Sequence, residues 1–356
     1  MKIYLAGFST TNPEDGELFK GVRRLHSYYY ARRSPTGSAN MGVQWFEWNV
    51  ENGVDIFLDS GAFSAMTQGI KIDIQEYIGF IKRYEKSLEV YANLDVIGVD
   101  GQPPDRESAE MGIANQRIME KAGLRPLPVF HFREPFDILE QFVAEYDYIA
   151  LGGMVGFSAN VLIPWLDKCF RDIICDPKTG IPRVKIHGFG ITSIPLLVRY
   201  PWYSVDSSSW SMGGRVGEIY VPRYRNGEWI YGEPGWRLRA SNRSPRLKEP
   251  GEHIETLPPR QKQIVLGYIH AKGFKLGKSH FKKVPQTHEL AENERWVEPK
   301  PKDPQAKRLL EVIEEEGLSN SPRLRNMINI MYFQDLEASL PPWDRPFKGR
   351  WMRRFF

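Results

Sequence analysis

From the N-terminus to about residue 210, short runs of consecutive apolar residues alternate with stretches whose apolar positions recur every three or four residues. The short runs are Lys2 to Gly7, Asp55 to Ser60, Val90 to Val96, Pro126 to Phe132, Tyr148 to Gly153, Val184 to Gly190 and Tyr203 to Ser208. Each is too short for a helix and mostly apolar without clean alternation, the pattern of parallel strands covered on both faces. Between them the period lengthens. Asp73 with Glu76 three residues on predicts a capped helix start, and Ile74, Tyr77, Ile78, Ile81 and Tyr84 follow at helical spacing. A second helix carries Met111, Ala114, Ile118 and Ala122 as its stripe and stops at Gly123. A third covers Pro135 to Tyr146, a fourth starts near Pro164 with Trp165, Leu166, Cys169, Phe170 and Ile173 buried, and a short one starts near Pro195.

Seven strands joined by crossover helices fit either an α/β (β/α)8 TIM-like barrel or a doubly wound sheet. The polar residues favour the barrel. Asp59, Asp95, His131, Gly152 with Gly153, His187 and Asp206 all fall at or near the C-terminal ends of consecutive strands. A barrel gathers those ends around one mouth, where barrel enzymes hold their active sites. Further on, "EIYVPRYRNGEWIYG" predicts a hairpin turning at Asn226-Gly227 that supplies the eighth strand. Residues 236 to 255 look like a long loop, and helices are predicted over Leu257 to Ala271 and Pro304 to Glu316. The expected organisation is a barrel domain over 1–300 with an irregular insertion at about 211–255, then a helical, basic extension over 301–356.

Composition narrows the class. Of 356 residues, 41% are hydrophobic and 13% aromatic, which suits a folded globular chain and not a disordered one. No run of eighteen apolar residues exists, and the opening "MKIYLAGFSTTNPEDG" turns polar too soon for a signal peptide, so a soluble cytoplasmic protein with no membrane partner is expected. Two cysteines, Cys169 and Cys175, cannot form a disulfide framework or a four-ligand zinc site by themselves. The net charge of +4 permits a nucleic-acid partner without requiring one. Three basic stretches could hold phosphates: Arg23, Arg24, Arg32 and Arg33 around Tyr28 to Tyr30; Lys272, Lys275, Lys278, Lys282 and Lys283; and Lys348, Arg350, Arg353 and Arg354 beside Trp351. Each could equally be a solvated face, and the tyrosines could be core.

Two aspartates across a barrel mouth can divide the cleavage of a glycosidic bond, one attacking the sugar carbon and the other protonating the departing group. Asp59, after Ile56, Phe57 and Leu58, suits the proton donor, whose pKa a partly dry pocket must raise. Asp206 in "YSVDSSSW" has hydroxyl neighbours that could aim a carboxylate, which suits the nucleophile. Singly, either could be a strand-end cap or an ion-pair partner; the pair, with Asp95 at a third strand end, is what suggests catalysis.

"FLDSGAFSA" resembles the DSGGFQ segment of the queuine and archaeosine tRNA-guanine transglycosylases, "YIALGGMVG" their ALGGLAVG, and "HGFGIT" their MGVGTP. "YANLDVIG" is similar to their strand ending in a base-reading Asp, and "YSVDSSSW" to the strand carrying their nucleophile. The five segments keep the family's order and spacing over about residues 50 to 230. The resemblance implies that Asp206 attacks the anomeric carbon of a target guanosine and that Asp59 serves as general acid to the leaving base and general base to the incoming one. It implies that Asp95 accepts hydrogen bonds from N1–H and the 2-amino group, and Ser60 is a further base-binding candidate. The backbone of Gly152, Gly153 and Met154 would meet the carbonyl edge or 7-substituent, and Phe63 would stack on the base. A flipped purine needs such a set: an aromatic face, a carboxylate for its donors and amides for its acceptors.

Two positions depart from the pattern, His131 where the family has a base-contacting Gln and His187 where it has a Met. The family's zinc subdomain is also missing, because no cysteine follows Cys175. No metal or cofactor is expected. The chain is closest in pattern to the zinc-less transglycosylase-like proteins of phage and bacterial DNA modification, which implies guanine in DNA exchanged for a 7-deazaguanine base, in the host cytoplasm if the chain is phage-encoded. Exchange on tRNA, a non-catalytic nucleic-acid-binding subunit and a glycoside hydrolase are the competing readings.

Overall fold

The computed structural model describes residues 1–7, 21–32, 41–98, 103–244, 250–303 and 305–349. The chain forms two compact units, Met1–Ser209 with Gln334–Phe356, and Trp210–Phe333.

The first unit contains eight strands: β1 (Lys2–Ala6), β2 (Arg24–Ser27), β3 (Ile56–Asp59), β4 (Leu88–Tyr91), β5 (Val129–His131), β6 (Tyr148–Gly152), β7 (Lys185–Gly188) and β8 (Ser204–Ser207). They make one parallel sheet in the order β4-β3-β2-β1-β8-β7-β6-β5, with helices in the crossovers. The end strands β4 and β5 meet at a single parallel bridge, Ala92 to Leu127. Leu127 N–H donates to Tyr91 O (2.8 Å) and Asn93 N–H to Leu127 O (2.9 Å). The next donor, Arg125 N–H, goes to the Tyr91 hydroxyl (2.8 Å) instead of the β4 backbone, so the ladder stops there. The fold is therefore a curled half-barrel, compatible with a TIM-like architecture but not the closed barrel expected.

The eighth strand is β2, not part of the predicted hairpin. Its four residues hide the signal, because Arg24 and His26 alternate with Leu25 and Ser27. Arg24 and His26 turn outward and are nonetheless buried: His26 packs edge-on to Phe46 (5.5 Å) and Arg24 lies over Trp45 (6.0 Å), both on the helix Met41–Glu51. Leu25 joins Tyr4, Ala6, Phe57, Ala92, Leu127, Val129 and Ala150 in an inner cluster. Successive strand side chains face opposite sides, so Asp59, His131 and Gly152, each two residues beyond a member of that cluster, continue the inner face toward the strand ends.

The helix Ile74–Tyr84 starts as predicted, with Asp73 accepting from Gln75 N–H and Glu76 N–H (2.8 and 2.9 Å) and Tyr77, Ile78 and Ile81 buried. The next, Arg106–Lys121, is rotated from its expected stripe: Met111 and Ile118 are exposed while Ala109, Gln116 and Met119 are buried. Gln116 goes inside because its amide donates to Pro126 O (2.8 Å) and to Glu120 (3.0 Å). The helix predicted from Pro164 begins earlier, at Ala159, with Pro164 inside it. The C-terminal segment returns to this unit, where Glu337 accepts from Ile3 N–H (2.7 Å) and pairs with Arg23, Trp343 meets Tyr203 edge-on, and Phe347 stacks on Tyr200.

The second unit is antiparallel. β9 (Glu218–Val221) pairs with β12 (Trp236–Arg239), so the stretch read as a loop from 236 begins with a strand. β10 (Arg223–Arg225) and β11 (Glu228–Ile230) form the predicted hairpin, with Asn226 and Gly227 both at positive φ as a type I′ turn requires. β13 (Lys278–Val284), β14 (Glu294–Trp296) and β15 (Arg308–Glu315) make a three-stranded sheet around β15, where a helix was expected. Ile219, Leu238, Val265, Tyr268, Phe274 and Ile328 share one core, which is why the division does not fall near residue 300. No helix among the described residues is long and apolar enough to cross a membrane.

Candidate active site

Asp59 is the last residue of β3, and its chain then turns sharply: Gly61 sits at φ 77°, and its N–H donates to Asp59 Oδ2 (3.1 Å). A Cβ at Gly61 would lie 2.3 Å from Ser27 Oγ and 2.5 Å from Tyr29 Cβ, so only glycine lets β2 and this turn meet. Ser60, fully buried, donates its hydroxyl to Asp95 Oδ1 (2.6 Å). The turn thus carries one carboxylate and steers a second.

Asp95 lies four residues past the end of β4. Its Oδ2 is 3.0 Å from His131 Nε2, while His131 Nδ1 is 2.9 Å from Glu134 Oε1. Glu134 also accepts from the His131 backbone N–H (2.8 Å) through Oε2. His131 and Glu134 are 2% and 3% exposed, so a buried carboxylate–imidazole–carboxylate chain runs from the mouth inward. Burial alone would lower the His131 pKa, but the two carboxylates outweigh it and raise the ring to about 10. Glu134 was not singled out from the sequence; the three-residue spacing from a strand-end histidine is its only signal.

Asp206 is near the end of β8, where Oδ1 accepts from Gly190 N–H (2.7 Å). His187 Nε2 approaches the same oxygen at 3.4 Å without hydrogen-bond alignment, and its Nδ1 meets Ser204 Oγ at 2.7 Å. His187 is wholly buried between Phe57 (4.4 Å between ring centres) and Phe189 (4.5 Å), and burial lowers its pKa. Oδ2 of Asp206 has no hydrogen-bond partner among the described residues.

The three aspartates share one electrostatic environment. Burial, then the charge of Asp95, then that of Asp206 push Asp59 up to about 8, so it holds a proton at neutral pH. Asp59 and Asp206 are thus near enough for the charge of one to act on the other.

The remaining predicted residues divide. Phe63 is 54% exposed on the short helix Ala62–Thr67, and Met154 is buried after β6. Gly152 is accounted for by packing: a Cβ there would lie 3.0 Å from His131 Cδ2 and 3.1 Å from Val129 Cγ1. Gly153, at φ 70°, is similarly crowded by Phe132 and His131. The basic positions fare less well. Arg23 is engaged by Glu337 and by Asp55 at the start of β3, away from the mouth, and Arg24 is buried beneath a helix with an N–H donated to Gly7 O (2.6 Å). Arg24, with no exposed surface, offers no phosphate contact. Arg32 lies over the Tyr28 and Tyr29 rings (5.9 and 5.1 Å). Lys275, Lys278, Lys282 and Lys283 belong to the second unit, with Lys275 paired to Glu315 and Lys282 to Glu294. Arg33, Arg353 and Arg354 lie outside the described residues. Among the described residues no group of His, Cys, Asp and Glu is arranged to hold a metal ion. No protein-family model matches the chain, and no curated protein matches it either.

Proposed function

We propose that the first unit exchanges a nucleobase by double displacement, replacing guanine in a polynucleotide, DNA in preference to tRNA, with a 7-deazaguanine base. The observation that supports this reading is the placing of two carboxyl groups, Asp59 and Asp206, at or near the C-terminal ends of β3 and β8 in one parallel sheet, near enough for the charge of Asp206 to help raise Asp59. Asp206 Oδ2 forms a bond to the sugar C1′ as the C1′–N9 bond breaks, its electron pair going to the purine. The Asp59 proton passes to that purine, which leaves neutral. In the return step Asp59, now a carboxylate, takes the N9 proton of the incoming base, N9 bonds to C1′, and Asp206 is released. Asp95, held by Ser60 and His131, faces the N–H edge of the base, and Phe63 supplies a stacking face at the rim. The preference for DNA rests on the absence of any cysteine after Cys175, which leaves no zinc subdomain of the tRNA enzymes.

The test is to incubate the protein with labelled guanine or 7-deazaguanine and either duplex DNA or tRNA. Label is expected in DNA, together with a protein–DNA adduct that survives denaturation and disappears in Asp206→Ala. Label entering tRNA alone would overturn the choice of polymer. An adduct undiminished in Asp206→Ala would overturn the mechanism.

A further inference from the structure

The chain of buried groups behind Asp95 has a role that catalysis at Asp59 and Asp206 does not account for. Both nitrogens of the His131 ring face carboxylate oxygens, Glu134 Oε1 at 2.9 Å and Asp95 Oδ2 at 3.0 Å. Ionised carboxylates accept and cannot donate, so a neutral imidazole, with one N–H, would leave one nitrogen lone pair pointed at a carboxylate oxygen. Two N–H groups satisfy both contacts. On the β6 side a Cβ at Gly152 would lie 3.0 Å from Cδ2 of the ring and 3.1 Å from Val129 Cγ1, so that flank is closed by backbone and an apolar side chain. Glu134 cannot swing away to relieve the arrangement, since its second oxygen is fixed by the His131 backbone N–H at 2.8 Å.

We propose that Glu134 is a positioning residue that holds His131 as a two-way donor, so that Asp95 is locked as an acceptor and presents its remaining lone pairs to a planar ligand edge carrying adjacent N–H and NH2 donors. Asp95 Oδ1 is steadied on its other side by the Ser60 hydroxyl, so neither oxygen can turn into a donor without breaking a contact. Discrimination follows. A purine with the 2-amino group satisfies both acceptor oxygens, whereas hypoxanthine leaves one buried acceptor unmet. The ligand half of this inference rests on the base-exchange reading; the state of His131 does not.

The experiment therefore has two readouts. In ¹⁵N-labelled protein at pH 8, the imidazole nitrogens of His131, assigned by their loss in His131→Asn, are expected at the shifts of a doubly protonated ring, and in Glu134→Gln at those of a neutral one. A neutral ring in the unaltered protein, or no change in Glu134→Gln, would overturn the proposal whatever the protein binds. Calorimetry with free guanine and hypoxanthine forms the second arm. Glu134→Gln is expected to lose about tenfold in guanine affinity, an order of magnitude typical of a hydrogen bond to a charged group, with hypoxanthine affected less and Glu134→Asp partly restoring the preference. Equal losses for both purines would overturn the positioning role, and a fold defect would show as a lowered melting temperature common to Glu134→Gln and Glu134→Asp. Absence of binding to either purine by the unaltered protein, with the His131 signature intact, would reject the base-exchange reading and leave the imidazolium assignment standing.

Discussion

Asp59 ties stability to pH through a single buried carboxyl, the one proposed above as the proton donor. Its pKa is raised in the folded state to about 8, from the usual 3.8, by burial and by the charges of Asp95 and Asp206. Between those values the folded protein keeps a proton that the unfolded chain releases, so this group lowers stability progressively as pH rises from about 4 to about 8. Asp59→Asn is accordingly expected to melt higher than the unaltered protein at pH 8 to 9, to differ little near pH 4, and to lose exchange at every pH. Scanning calorimetry across that range checks the first part. A rate profile from labelled-base exchange checks the second: on the base-exchange proposal the unaltered protein is expected to lose exchange above about pH 8, as Asp59 ionises. His131 works in the same direction: with its pKa raised to about 10, its stabilisation is complete below about 6.5 and is lost as pH climbs through 10. Arg133, between His131 and Glu134, adopts φ 88°, which an L side chain disfavours. Its guanidinium lies 5.7 Å from the Phe132 and Phe157 rings. Arg133→Ala keeps the backbone strain and loses the ring contacts, while Arg133→Gly relieves the strain, so Gly is expected to exceed Ala by about 1 kcal/mol in denaturant unfolding.

Turns and caps decide more than propensity among the elements. Gly61 is the tightest example: Gly61→Ala forces a side chain against Ser27 and Tyr29, and a loss of more than about 2 kcal/mol in unfolding free energy is expected, with urea titration as the measurement. Asp73→Ala removes two N–H contacts from the start of its helix and is expected to cost about 1 kcal/mol. Elements signalled by such local chemistry were legible in the sequence, as the Asp73 cap and the Asn226-Gly227 turn illustrate. Elements whose meaning depends on distant partners were not. β2 reads as a basic, tyrosine-rich segment until Trp45 and Phe46 are seen to cover Arg24 and His26. β15 reads as a helix because "RLLEVIEE" has helical composition, and only its pairing with β13 and β14 on both edges makes it a central strand. The site divides along the same line. Strand-end aspartates follow from a count of apolar runs, but Glu134 reaches His131 through a backbone turn, for which a three-residue spacing is the only and a weak signal.

For the molecule as a whole, the strand ends of one curled sheet bring together residues separated by up to 147 positions, Asp59 to Asp206, and the chain's last described segment returns to fasten the first strand. Glu337 accepts from β1 and pairs with Arg23, so Glu337→Ala is expected to destabilise the first unit as a whole, seen as a lower melting temperature. The half-barrel also has a seam. Where the backbone ladder between β4 and β5 stops after one bridge, the next link across the gap is made by side chains, from Asp95 on one side to His131 on the other. The group proposed to meet a base edge is thus also a stitch across the sheet edges, and Asp95→Ala is expected to quicken deuterium uptake at Asn93 and Leu127, whose N–H groups bridge the same seam.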